Sequence, residues 1–167
     1  RTGMKIAIAS DKRAIGRKLE VKRFLEEQGH TVIEVVSDEN TAVVHTISAP
    51  KVCKLVQSGE VDRGILICGT GMGMSMVANK HKGIRAACCE STYAVESCRR
   101  INNANVLCMG AFILGPQLAC DMAERFVMTP FAEGFEAERI AYIKERDADM
   151  AKIEEANFKQ ISKNFNF

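Results

Sequence analysis

Arg63 to Cys68 reads RGILIC and runs straight into Gly69-Thr70-Gly71-Met72-Gly73, a turn with three glycines in five positions. A run that is apolar on both of its alternating faces must be covered on both faces, which is the condition of a central strand in a parallel sheet. The neighbouring segments supply the covers. Met4 to Ala9 (MKIAIA) reads as a first strand, Thr31 to Val36 as a second, Ile84 to Cys88 as a fourth and Asn105 to Met109 as a fifth. Between them the apolar spacing turns helical. Leu19, Val21, Phe24 and Leu25 mark a helix over Ala14 to Gln28 that stops at Gly29, and Pro50 opens a helix to Ser58. Met74 to Lys80, Thr92 to about Ile101 and Pro116 to Phe126 complete the set, with a polar connection at Ser37 to Asn40. Glu133 onward, to about 158, is a long charged helix with Ile140, Ile143 and Met150 on one side. The pattern predicts a three-layer α/β/α sandwich with a five-stranded parallel sheet and a long C-terminal helix.

With 167 residues, 47% apolar and 26% charged, residues 4–167 are expected to form a single domain. Arg1, Thr2 and Gly3 precede Met4 and read as an expression remnant. The apolar runs are too short to cross a bilayer, so no membrane span is expected. A net charge of +2, from 23 basic and 21 acidic residues, gives no footprint for nucleic acid. Seven cysteines without a CxxC pair argue against a disulfide framework and a structural zinc site, and fit small buried side chains in a reducing cytoplasm. His30, His45 and His81 are dispersed, so no metal site is expected.

Ligands of such folds bind at the carboxyl ends of strands, which singles out Ser10-Asp11-Lys12 after strand one and the loop after strand three. Gly69, Gly71 and Gly73 let successive amides point into one concavity, an anion nest. The spacing is not that of a dinucleotide fingerprint and no Walker lysine follows, so no cofactor is expected. Cys68 stands where a strand end, a helix start and amide donors converge, an environment that favours a thiolate. Such a thiolate, with N–H groups beside it, suits removal of a proton next to a carbonyl. A buried structural thiol is the competing reading of Cys68.

The run GILICGTGMGMSMVANKHKGIRA (Gly64 to Ala86), with Arg99, Asn102 and NANVLCMG (Asn103 to Gly110), closely resembles the family of ribose 5-phosphate isomerase B and galactose 6-phosphate isomerase. The resemblance implies a Rossmann-like sandwich, a sugar phosphate as substrate, and a homodimer or tetramer with active sites shared between subunits. It implies Cys68 as the enolising base, Thr70 as its hydroxyl partner, and Gly69, Gly71 and Gly73 as the anion hole. Asp11 matches a residue contacting sugar hydroxyls, Lys12 and Arg139 match phosphate-binding positions, and Asn102 matches a substrate-binding asparagine contributed by the neighbouring subunit.

The chain departs from the family at chemically pointed places. The histidine that opens the sugar ring falls on Ile101, and two phosphate-binding arginines fall on Phe112 and Phe135. Val44-His45-Thr46 replaces the usual Asp-Tyr-Pro segment. Three explanations are open: an open-chain substrate such as a tetrulose phosphate, proton transfer by His45 (against an ordinary exposed loop histidine), or dependence on a second, different subunit. A non-catalytic sugar-phosphate binding protein is the reading from another functional class.

Overall fold

The computed structural model describes residues 3–35 and 44–165, with side chains up to residue 160. Five strands form one parallel sheet in the order β2-β1-β3-β5-β4, where β1 is Lys5–Ser10, β2 Thr31–Glu34, β3 Arg63–Cys68, β4 Ala86–Cys88 and β5 Val106–Gly110. The helices are α1 Ile15–Glu27, α2 His45–Ser58, α3 Met72–Ala78, α4 Thr92–Arg100, α5 Pro116–Met128 and α6 Ala137–Phe165, with a 3-10 turn at Lys12–Ala14.

Side-chain alternation along the strands builds the two cores. Ile6, Ile8, Ile65, Ile67, Leu107 and Met109 face Val21 and Leu25 of α1, Val95 of α4 and Phe126 of α5. Ala7, Ala9, Leu66, Cys68, Val106 and Cys108 face Val52 and Cys53 of α2 and Met74 and Ala78 of α3. The first face carries mostly bulky residues and the second several small ones, and α2 packs tightly on the second at Gly64. A methyl group added at Gly64 would come within 2.7 Å of Val52 Cγ1.

Several sequence expectations need correction. The helix expected to open at Pro50 begins at His45, with the proline inside it. An interior proline removes one backbone bond and costs about 3 kcal/mol. Burial of Ser48, Ala49, Val52 and Cys53 on that helix offsets this cost, and Ser48 Oγ donates to the Val44 carbonyl at 3.0 Å. The third helix starts at Met72, the long helix at Ala137 rather than Glu133, and β4 only at Ala86. In α1 Leu19 is exposed and Lys18 buried, because Ala14, Lys18, Val21 and Leu25 share the covered stripe. Lys18 survives there through a 2.9 Å ion pair with Glu34 at the end of β2. The predicted end of strand two at Val36 and the connection Ser37 to Asn40 lie outside the described residues.

The long helix α6 is pinned to β4 and its flanks. Ile143 is buried, Arg85 pairs with Asp147, and Glu154 accepts the Gly83 N–H at 2.7 Å. Tyr142, Met150 and Ile153 remain exposed on it. Among the described residues no helix is long and apolar enough to cross a membrane.

Candidate active site

The sheet order reverses direction between β1 and β3, and a crevice opens at the carboxyl ends of strands flanking such a switch. The register pairs Ser10 with Ile67, so the next residues along, Asp11 and Cys68, stand side by side there. The Asp11 N–H donates to the Ile67 carbonyl at 3.1 Å, which extends the ladder to the site's edge. The Asp11 carboxylate is buried and accepts the Arg13 N–H at 3.0 Å, capping the 3-10 turn.

Cys68 ends β3 almost buried, at 6% exposure. The Gly71 N–H donates to its sulfur at 3.1 Å, so an amide dipole is aimed at Sγ and supports negative charge on it. Gly71 reaches this position with φ of 81°, which a side chain at this residue would strain. The Thr70 hydroxyl accepts the Met72 N–H at 3.3 Å and is exposed to the crevice. Two backbone bonds tie the loop down: Ala111 N–H to the Cys68 carbonyl at 2.8 Å and Phe112 N–H to the Gly69 carbonyl at 3.0 Å. Gly110 passes so close beneath that a methyl group there would come within 2.7 Å of the Thr70 Cα.

Three side chains close over this loop. The His45 ring, half-buried in the first turn of α2, would meet a methyl group at Gly73 at 3.1 Å. His45 is therefore not an exposed loop histidine. The Phe112 ring would meet one at Gly69 at 3.1 Å, and Arg13 Nη1 would lie 3.8 Å from that same point. Arg13 was not singled out by sequence reasoning: a charged residue in an exposed turn carries no signal until β1 and β3 are paired.

Cys88 also reaches the loop, from β4, and its thiol lies 3.6 Å from the Thr70 carbonyl. It is exposed, unlike the other six cysteines, which corrects the expectation that all the cysteines beside Cys68 are buried. Partial burial, then the neighbouring Cys89, Glu90 and Cys68, push the Cys88 thiol up from its ordinary value. Burial takes Cys53, deep under α2, up to about 11.

Of the remaining expected site residues, Lys12 borders the crevice and the others lie elsewhere within one chain. Lys12 is exposed in the turn after β1. Asn102 lines a groove of about 340 Å³ with Arg85, Met150 and Glu154. Arg139 lies on α6 over the Tyr142 ring at 5.4 Å. Ile101 caps the carboxyl end of α4. Arg99 is buried and bound to the Thr129 and Ala104 carbonyls and to Asn103, and burial lowers its guanidinium to about 10. It is a structural residue. Arg100 holds the Glu133 and Gly134 carbonyls and stacks on Phe135 at 4.2 Å. Among the described residues no cluster of His, Cys, Asp or Glu fits a metal ion.

A thiol that accepts an amide N–H, with a carboxylate and an imidazole at the rim, defines a site for proton transfer next to a carbonyl. Known proteins agree with that class. A sequence profile of the Ribose/Galactose Isomerase family matches residues 6–143. A 4-deoxy-4-sulfo-D-erythrose isomerase from Clostridium sp. (strain MSTE9) is 45% identical over 94% of this chain and 99% of its own. A D-erythrulose-4-phosphate isomerase from Pectobacterium atrosepticum is 37% identical over 86% of this chain and 97% of its own. The ribose-5-phosphate isomerase B structure from Clostridium thermocellum superposes with a TM-score of 0.83 at 37% identity, covering 92% of this chain and 99% of that one. The chain belongs to the ribose/galactose isomerase family and is an aldose–ketose isomerase of its sugar-phosphate class.

Proposed function

We propose that this chain interconverts the aldose and ketose forms of an open-chain four-carbon sugar with a terminal sulfonate, 4-deoxy-4-sulfo-D-erythrose and its ketose. The observation that carries the reading is Phe112, an uncharged ring on the Gly69 loop at a position where the family resemblance puts a phosphate arginine. Ile101, Phe112 and Phe135 stand where the family resemblance puts a ring-opening histidine and two phosphate arginines, and Phe112 packs directly on Gly69. A sugar with carbon–sulfur bonding at C4 has no C4 hydroxyl with which to close a furanose, so it needs no ring-opening group. A sulfonate carries one negative charge, whereas a phosphate monoester carries about 1.5 to 2 at neutral pH, so fewer cations are required. The end-to-end likeness to the Clostridium 4-deoxy-4-sulfo-D-erythrose isomerase supports the same substrate.

In the aldose-to-ketose direction, the Cys68 thiolate takes the proton from C2. The C2–H electron pair becomes the C1–C2 double bond, and the carbonyl pair moves onto O1, giving an enediolate held by the amides of Gly69, Gly71 and Gly73. The proton on O2 passes to O1 through Thr70 or His45, C1 takes the proton from the Cys68 thiol, and O2 becomes the ketone oxygen. Asp11 orients the sugar hydroxyls, and Lys12 adds positive charge at the mouth. A second subunit contributes Asn102 and Arg139 across a homodimer or tetramer interface, and the reaction belongs in the cytoplasm, where the seven free thiols stay reduced.

A second reading, D-erythrulose 4-phosphate, draws on the adjacent cations Lys12 and Arg13 and on the Pectobacterium relative. Proton NMR of the purified protein with the four-carbon sulfonate, the four-carbon phosphate and ribose 5-phosphate separates these. We expect kcat/KM for the sulfonate to exceed that for ribose 5-phosphate by about 100-fold or more. Ribose 5-phosphate as the best substrate contradicts the proposal. Activity that appears only after a related second chain is added points instead to an obligate hetero-oligomer.

A further inference from the structure

We infer that Arg13 anchors the terminal anion of the sugar, in the corner that its guanidinium and the Phe112 ring form over Gly69. This rests on the substrate reading above. Arg13 is the residue after Lys12 in the 3-10 turn, and its side chain is 69% exposed. Its ionic partner among the described residues is Asp11, at a loose 3.9 Å. Other nearby guanidinium groups are engaged in the fold. Arg17 holds the Leu114 carbonyl and pairs with Glu20 at 2.7 Å, Arg85 pairs with Asp147, and Arg99 is buried against carbonyls. Arg13 alone of these is directed at the loop with donors to spare.

The Phe112 ring gives the corner its second wall. Its carbons come within 3.1 Å of where a methyl group at Gly69 would sit, so the ring fills that space, and Arg13 Nη1, 3.8 Å from the same point, lies at its outer edge. A guanidinium offers paired donors that match two oxygens of a tetrahedral anion. Consecutive Cα atoms are about 3.8 Å apart, so Gly69 is one short step from Cys68. Arg13 thereby selects for a negative charge at the far end of the sugar.

The test uses the Cys68→Ala protein, which binds without turning over. Calorimetry measures its affinity for the four-carbon ketose sulfonate and for inorganic sulfate, with and without Arg13→Ala. Loss of a charge-assisted bond should weaken both by about 10- to 100-fold. Adding Phe112→Arg to Arg13→Ala returns a guanidinium to the same corner from its other wall, and should restore most of the loss. Unchanged affinities in Arg13→Ala, or no recovery in the double variant, overturn the assignment. If sulfate binding depends on Arg13 while no four-carbon sugar binds or reacts, the anchor stands and the substrate reading fails.

Discussion

The crevice at β1 and β3 and the flank formed by Asn102 and α6 are built on opposite plans. In the crevice one chain brings Asp11, Arg13, His45, Cys68 and Phe112 together around a loop whose first residues are tied to the turn after β5. On the flank the polar side chains are consumed by the fold itself, as in the Arg85–Asp147 pair and the Gly83–Glu154 bond. Asn102 and Arg139 sit there without touching the loop in their own chain. The difference teaches which residues a parallel sheet assembles unaided: those at the switch between β1 and β3. Residues on α4 and α6 reach a site only if another copy presents them.

The sharpest way to break this comparison is Cys68→Ser. It keeps the shape and hydroxyl-like polarity but removes the thiolate, and kcat should fall by about 1,000-fold or more in an NMR turnover assay. Gly71→Ala comes next. The positive φ and the Met109 carbonyl carbon 3.0 Å from an added methyl displace the loop and its N–H to sulfur. We expect turnover to fall about 100-fold, with thermal stability reduced by about 1–3 kcal/mol.

The flank is tested by mixing. Cys68→Ala and Asn102→Ala should each be inactive as pure proteins. Mixed after dissociation and reassembly, they should recover about a quarter of wild-type activity, because random pairing gives half of the dimers one intact site of two. No recovery means that Asn102 does not serve a neighbour's site. Smaller again is Asp147→Asn, which leaves the Arg85 guanidinium less well paired beside β4. Chemical denaturation should show a loss of about 1 kcal/mol, with kcat scarcely changed.

The layers of the fold were legible because a strand buried on both faces and a helix with one covered stripe leave different spacings. The turn after Cys68 was legible for a related reason: a glycine at position 71 takes the positive φ that brings its N–H back onto the sulfur. Where reading failed, a local signal was outweighed by contacts distant in sequence. Pro50 is a good helix-start signal, but the helix runs back to His45 because Ser48 and Ala49 are buried against β1 and α3. Leu19 looked like core until Glu34 offered Lys18 a partner. Arg13 acquired meaning only from the adjacency of β1, β3 and the Phe112 turn, which no local pattern encodes.

The central claim is that Cys68 exchanges a carbon-bound proton of the sugar. We would incubate wild-type protein with the four-carbon ketose sulfonate in deuterated water and follow C1 by NMR. We expect deuterium at a single C1 position, introduced as the Cys68 thiol trades its proton with solvent before returning it, and none with Cys68→Ala. Equal incorporation in the variant, or isomerisation by the variant at the wild-type rate, would contradict it.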